Sequence, residues 1–542
     1  MKYSLLLLPL AAALVRAGAL PGWWLPELAL LAIPLRIWYW EKGGGRLGDF
    51  MGGVAHVVLF FSFLSEFVNP FAPIAVGLIL GGWWLGERWL YHGLRRHVPV
   101  SISAALAVVA AEFFRFHYPM DGVPWGSLAL GFADRPVALQ WVSVYGEQGL
   151  GLLVALWGAF AYALFQRSSR WELLPAPLMT LIAIAMAAPP APTLSTVRAL
   201  GIQGNLSITE KHGDDVKTLR SYSAKEVYLR QAIPTVEVLL QYPSVELVVW
   251  GETMFPLPVV PPAGEPGAEG FMRRPWRHKG PDQIENDRLR MLASAEISRL
   301  LGGVGCNRTF IAGAHYYLGV PKLNGPEWSP RASEFLAFDD SGTLVDHFSK
   351  TRLVPFGETL PFRGNFPGGD AVGNAIYQAS GLNPNFVQTD DVGPLRFKDI
   401  VLGGAVCWEN VFEKPFRDQA NAGAEAFLVL SNENWYGLSE EMDQMVAATK
   451  FRVRETGRPV FRVANTGISG LFDSAGRLVG ALPRGKEGYF IADLPRISPT
   501  WSTPYLKWGW LVAPLAAWFT LLGAVASRLR IWLAKRKANS SA

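Results

Sequence analysis

The sequence predicts a two-part fold: a polytopic α-helical membrane domain, followed by an α/β domain built on a mixed sheet covered by helices. Three observations predict it. Half of the 542 residues are hydrophobic, with 21 Trp, and the mean hydropathy is +0.18; that is too apolar for a purely soluble chain and too polar for a pure membrane bundle. Acidic residues are scarce before about residue 200 and frequent from 205 to 495. Apolar runs fill the first 190 residues, whereas strand-like and helix-like pieces alternate over 195–505.

Runs of roughly the 17–25 residues that cross a bilayer lie near 3–20, 24–40, 54–68, 70–87, 99–116, 141–165 and 172–189, and again at 506–527. Residues 54–87 are either two spans or one re-entrant stretch. The first run is either a span or a signal peptide ending at Ala17-Gly18-Ala19. Lys42 and Arg46, then Arg88, Arg95 and Arg96, then Arg167 and Arg170, and finally the basic tail 528–542 all fall on one side of an eight-span topology. Basic loops mark the cytoplasmic side, so residues 195–500 lie on the opposite face. The net charge of +5 is explained by these clusters and leaves no basic face for nucleic acid. Glu66, Glu112, Arg115 and Glu147 are costly in lipid; they either line a path within the membrane or, the preferred reading, sit at span ends in the headgroup zone. The run Gly-Glu-Gln-Gly-Leu-Gly at 146–151 lacks a preceding strand and is not read as a nucleotide loop.

Pro189-Pro190-Ala191-Pro192 makes a stiff exit from the membrane. Strands are expected at 197–203, 245–250 and 309–318, helices at 217–240 and 287–301, and a Pro-, Gly- and Arg-rich loop at 256–282. Gly-containing turns at 339–342 and 473–476 suggest two hairpins. The apolar run 400–406 ends at Cys407, one of only two cysteines, the other being Cys306. A thiol at the end of a buried strand is held rigid yet reachable, although a free cysteine is more often a small buried residue. In an oxidising compartment a Cys306–Cys407 bridge is also conceivable. Glu252 closes one strand and Lys350 another; each alone is better read as half of a solvated ion pair. As a set they make sense: a carboxylate to take the thiol proton, and an ammonium to lower the thiol pKa and hold an oxyanion. No His lies in these motifs, the eight His show no metal-ligand spacing, and no cofactor is called for.

Those residues sit in VVWGET (248–253), FSKTRLVPFGE (348–358) and GGAVCWEN (403–410), accompanied by VRALGIQGN (197–205), SNENWYG (431–437) and GRPVFRVANTGISGLFD (457–473). In this order they resemble the nitrilase superfamily and, with spans on both sides, the apolipoprotein N-acyltransferases of bacterial inner membranes. The resemblance implies an α-β-β-α sandwich facing the periplasm. It also implies transfer of an acyl chain from a phospholipid, through a Cys407 thioester, to the free amine of a diacylglyceryl-cysteine lipoprotein. Glu252 would be the base and Lys350 the oxyanion partner. Glu358, Glu409 and Trp408 would support them, though a purely structural hydrogen-bonding role is equally open for the two glutamates. Phe255, Phe356, Phe362, Phe366, Trp408 and Trp435 are candidates for an acyl groove, or simply for core. A monomer is expected. Trp-Gly-Glu at 250–252 replaces the family's usual Trp-Pro-Glu, Trp408 replaces a Tyr, and His212 stands where a Trp is usual. The loop 256–282, with Arg273, Arg274, Arg277 and Lys279, is also long. These departures leave room for a specialised enzyme with another amine acceptor, as in plasmid conjugation systems, or for a non-catalytic scaffold.

Overall fold

A computed structural model describes residues 4–23, 25–67, 70–118, 122–206, 220–259, 283–317, 331–355, 357–359, 371, 386, 393–437 and 439–540. The chain divides into two compact units, one of residues 1–191, 439–457 and 502–542, the other of residues 192–438 and 458–501.

The first unit is helical. Among the described residues three helices are long and apolar enough to span a membrane: Val100–His117, Pro136–Phe165 and Gly509–Asn539. The other expected spans correspond to shorter helices, including Leu7–Gly18, Ala29–Glu41, Arg46–Phe60, Ala72–Leu80, Trp83–Leu94 and Pro175–Met186. Outward-facing Leu515, Phe519 and Leu522 on the last helix are more than half exposed, as lipid-facing residues are.

The placement of charge inside this unit corrects the sequence reading. Glu112, Arg115 and Glu147 are buried, not at solvated span ends. Arg16 reaches Glu112 at 2.7 Å and Glu87 at 3.4 Å, and Arg36 reaches Glu87 at 2.8 Å. Glu147 pairs with Arg452 at 2.7 Å. Pairing offsets the desolvation that makes such charges costly. The side chain of Glu66 lies outside the described residues. Gly146 interrupts the helix Pro136–Phe165 at φ 71°, a left-handed conformation that glycine adopts without strain; the Gly-rich run is thus a kink and not a phosphate loop. The sequence reading ran one polar region through residue 500, yet the helix Glu441–Thr456 groups with this unit. Its composition is polar because Arg452 and Glu455 are buried ion-pairing residues.

The second unit contains two six-stranded sheets. Its strands are β1 (Thr193–Gln203), β2 (Leu247–Val259), β3 (Thr309–Tyr317), β4 (Arg331–Phe338), β5 (Leu344–Ser349), β6 (Leu395–Phe397), β7 (Ile400–Val406), β8 (Ala426–Ser431), β9 (Val460–Ala464), β10 (Ser469–Phe472), β11 (Leu478–Leu482) and β12 (Gly488–Ile497). One sheet runs β12-β1-β2-β3-β4-β5, the other β11-β10-β9-β8-β7-β6. β1–β2–β3 and β7–β8–β9 are parallel and the outer pairs antiparallel. The two expected hairpins are β4–β5 and β10–β11. Buried on both faces, the central strands read as continuous apolar runs; β8 and β9 have no exposed residue.

The helices Arg220–Gln241 and Gln283–Leu301 cover the first sheet, and Trp250, Phe310, Phe338, Val238 and Ile297 share its core. The Trp250 indole Nε1 donates to Thr235 Oγ1 at 3.0 Å, which satisfies the polar edge of a fully buried ring. Between the sheets Gly404 faces Phe348 and Phe335. A Cβ there would sit 2.4 Å from Phe348 Cζ, so the second glycine of GGAVC is a packing requirement. This is an α-β-β-α sandwich.

Candidate active site

Two strand ends and a bulge inside a third strand deliver the candidate residues: β2 runs on to Val259, so Glu252 does not close it and the strand continues into the start of the expected loop. In β2 the register to β3 holds through Trp250↔Ala312 and resumes at Phe255↔Ala314. The surplus residues between bulge the strand and aim Glu252 out of the ladder. Thr253, next in the chain, has φ 55°, which is strained for a β-branched residue. Lys350 directly follows β5, and its N–H donates to Ser333 O at 2.7 Å. Cys407 follows β7 at φ 50° and opens a 3-10 turn, Cys407–Val411. Strain of roughly 1–3 kcal/mol at such positions persists only where surrounding structure imposes it.

The side chains converge in a buried cluster. Lys350 Nζ lies 2.8 Å from Glu358 Oε1 and 3.4 Å from Glu252 Oε1, and the lysine is fully buried. The other oxygen of Glu252 accepts from Asn432 N–H at 2.9 Å, and that of Glu358 from Val354 N–H at 2.8 Å. Burial works against the Lys350 charge, but Glu252 and Glu358 outweigh it and hold the ammonium above its ordinary range. Burial raises Glu358, against the pull of Lys350. Burial also pushes the Cys407 thiol up to about 12; Glu252 adds to this, while Lys350 and a hydrogen bond with Ser431 oppose it. Cys407 therefore rests as a thiol, and any reaction through its sulfur would need a proton acceptor. Both cysteines are free, so the conceivable bridge is not formed.

Glu409 holds the cluster together. Its Oε1 accepts from Thr351 N–H at 2.7 Å, Thr351 Oγ1 at 2.8 Å and Arg352 N–H at 3.0 Å. Its Oε2 accepts from Val406 N–H at 2.9 Å. One carboxylate thus ties the segment after Lys350 to the strand before Cys407. Burial raises its pKa, opposed by those donors.

The acyl-groove candidates separate. Phe255 belongs to the core of the first sheet, edge-on to Phe310 at 5.9 Å, the core alternative of its two readings. Trp408 is buried, edge-on to Phe412 at 5.2 Å. Phe356, Phe362, Phe366, His212 and Arg273, Arg274, Arg277 and Lys279 lie outside the described residues, as does the side chain of Trp435. The sequence reading assigned no role to Ser431, Asn432, Glu433 or Arg462, although SNENWYG and GRPVFRVAN contain them. Their one signal was polar residues embedded in otherwise apolar strand runs.

The family model described as Carbon-nitrogen hydrolase matches residues 240–499. That described as Apolipoprotein N-acyltransferase N-terminal domain matches residues 11–160. The chain is 26% identical over 435 residues to Apolipoprotein N-acyltransferase of Rhodopseudomonas palustris, covering 76% of this chain and 70% of that one. With the protein of the same name from Gloeobacter violaceus it shares 26% over 541 residues, covering 94% and 91%. Among solved structures, an amidase from Nesterenkonia sp. aligns at 16% identity with a TM-score of 0.33, covering 59% of this chain and 95% of that one.

Proposed function

The chain belongs to the apolipoprotein N-acyltransferase family, and from that premise we propose that it moves an acyl chain from a phospholipid to the N-terminal amine of a diacylglyceryl-cysteine lipoprotein through a thioester on Cys407. The observation that carries this reading is the buried ammonium of Lys350, shared between Glu252 and Glu358 in the same cluster as Cys407.

In the first half-reaction Cys407 Sγ attacks the ester carbonyl carbon while its proton passes to the Glu252 carboxylate. Lys350 Nζ faces the oxyanion that develops. The ester C–O bond then breaks, the departing alkoxide takes the proton from Glu252, and a lysophospholipid leaves. In the second half the acceptor amine attacks the thioester carbonyl and gives a proton to Glu252. The C–S bond breaks, the amide forms, and the proton returns to the Cys407 sulfur. Glu358 keeps Lys350 charged and Glu409 keeps the two segments in register. Trp408, packed beside the nucleophile, shields it from water. The basic-cluster pattern supports a multi-pass protein of the bacterial inner membrane, with the sandwich unit facing the periplasm; we propose that it works as a monomer.

The test is intact-mass analysis of the full chain incubated with phosphatidylethanolamine vesicles. The expected result is a gain of one acyl chain, removed by hydroxylamine and absent in Cys407→Ala. An adduct that persists in Cys407→Ala would overturn the assignment of the nucleophile. Lipoprotein N-termini from a deletion strain then test the acceptor: full triacylation without this protein would move the acceptor to another amine.

A further inference from the structure

A second polar group lies beside the nucleophile and takes no part in the steps above. The parallel register Val406↔Leu430 brings the next residues, Cys407 and Ser431, side by side at the ends of β7 and β8. Ser431 Oγ donates to Glu433 Oε1 at 3.0 Å, and that oxygen also contacts Arg462 Nη2. Arg462 sits on β9, one strand beyond β8, and its Nε donates to Ile468 O at 3.0 Å. Ser431, Glu433 and Arg462 are all completely buried. Room has been cleared for the carboxylate: a Cβ on Gly467 would fall 1.9 Å from Glu433 Oε2, so any larger residue there displaces the carboxylate.

A buried ion pair is a poor stabiliser, because well-packed apolar residues of the same volume do as well or better. Its cost calls for another use. We propose that Glu433 and Arg462 are positioning residues for Cys407: Glu433 orients the Ser431 hydroxyl against the sulfur, and the opposed charges of the pair set how readily the thiol gives up its proton. The inference rests on the reading of Cys407 as the nucleophile. It is supported from the side of the guanidinium: burial pulls Arg462 down to about 10, and a negative charge on the Cys407 sulfur opposes this. By the sign of its charge the guanidinium favours the thiolate and the carboxylate disfavours it.

The two charges therefore make opposite predictions, which a loss of packing does not. The experiment follows alkylation of Cys407 by iodoacetamide at pH 9, in detergent-solubilised full-length protein carrying Cys306→Ser. Glu433→Gln keeps the acceptor for Ser431 but removes the negative charge. It should speed alkylation about tenfold, the effect of one unit of thiol pKa. Arg462→Met should slow it by a similar factor, Arg462→Lys should restore it to within about threefold, and the double variant should return close to the parent. If Glu433→Gln and Arg462→Met shift the rate in the same direction, or not at all, the pair is only packing and the proposal is wrong. Should Arg462→Met fail to fold, Glu433→Gln still decides the matter: a rate equal to or below the parent's overturns the proposal. Alkylation needs no lipid, so opposite shifts in a protein that takes no acyl chain from phosphatidylethanolamine would leave this pair standing and sink the acyl-transfer reading alone.

Discussion

Replacing Glu409 with Gln separates a clamp from a chemical participant. The carboxylate accepts four hydrogen bonds, three on Oε1 and one on Oε2. A Gln side chain keeps the three by placing its carbonyl oxygen toward Thr351 and Arg352. Its amide NH₂ then faces Val406 N–H, donor against donor, and one buried N–H is left unsatisfied. Losing a charge-assisted bond and stranding a donor sum to about 3–5 kcal/mol. At roughly 2–4 °C per kcal/mol for a domain of this class, the apparent Tm should fall by about 6–20 °C. Glu409→Ala strands three backbone donors, costing about 3–9 kcal/mol, which rivals the whole stability of a domain. Thermal unfolding in detergent, read beside the acyl-adduct assay, tests this. The expected result for Glu409→Gln is a lowered Tm with adduct formation retained at low temperature. An unchanged Tm with no adduct would refute the clamp argument and make Glu409 part of the chemistry.

Three further outcomes are expected. With its thiol pushed up to about 12, Cys407 should be alkylated about tenfold faster for each pH unit from 7 to 10, with no plateau; a plateau below pH 9 in a pH–rate profile would mean the thiolate is stabilised at rest. Gly404→Ala puts a methyl 2.4 Å from Phe348 Cζ and should cost about 1–3 kcal/mol by overpacking, seen as a lower Tm; an unchanged Tm would show that the two sheets can part there. Glu147→Gln leaves Arg452 without its partner from the helix Pro136–Phe165, and breaking a buried pair of this kind should cost about 3–5 kcal/mol. A chaotrope titration of the helical unit that matches the parent would show that Glu455 alone suffices for Arg452.

The sequence by itself determined the broad division of the chain and the identity of the candidate polar groups, though it placed Glu252 at a strand end where β2 in fact runs on to Val259. Hydropathy needs no tertiary context, because a bilayer or a buried strand demands an apolar run wherever it lies. That is why 400–406, 248–250 and the two hairpin turns were legible. The order of Glu252, Lys350 and Cys407 carried the resemblance to a superfamily, and with it the sandwich. Only the tertiary structure decided what each charge faces. Glu112, Arg115 and Glu147 look alike in sequence whether they sit at a headgroup or in a buried pair, since partners such as Arg16 and Arg452 lie about 100 and 300 residues away. For the same reason the helix Glu441–Thr456 read as part of a soluble region. Glu409 was ambiguous because its four donors are main-chain and hydroxyl groups from two separate segments. Glu433 and Arg462 stood silent inside quoted motifs. Their meaning depends on strand register, which places Ser431 beside Cys407, and register is set by long-range pairing that no local pattern encodes.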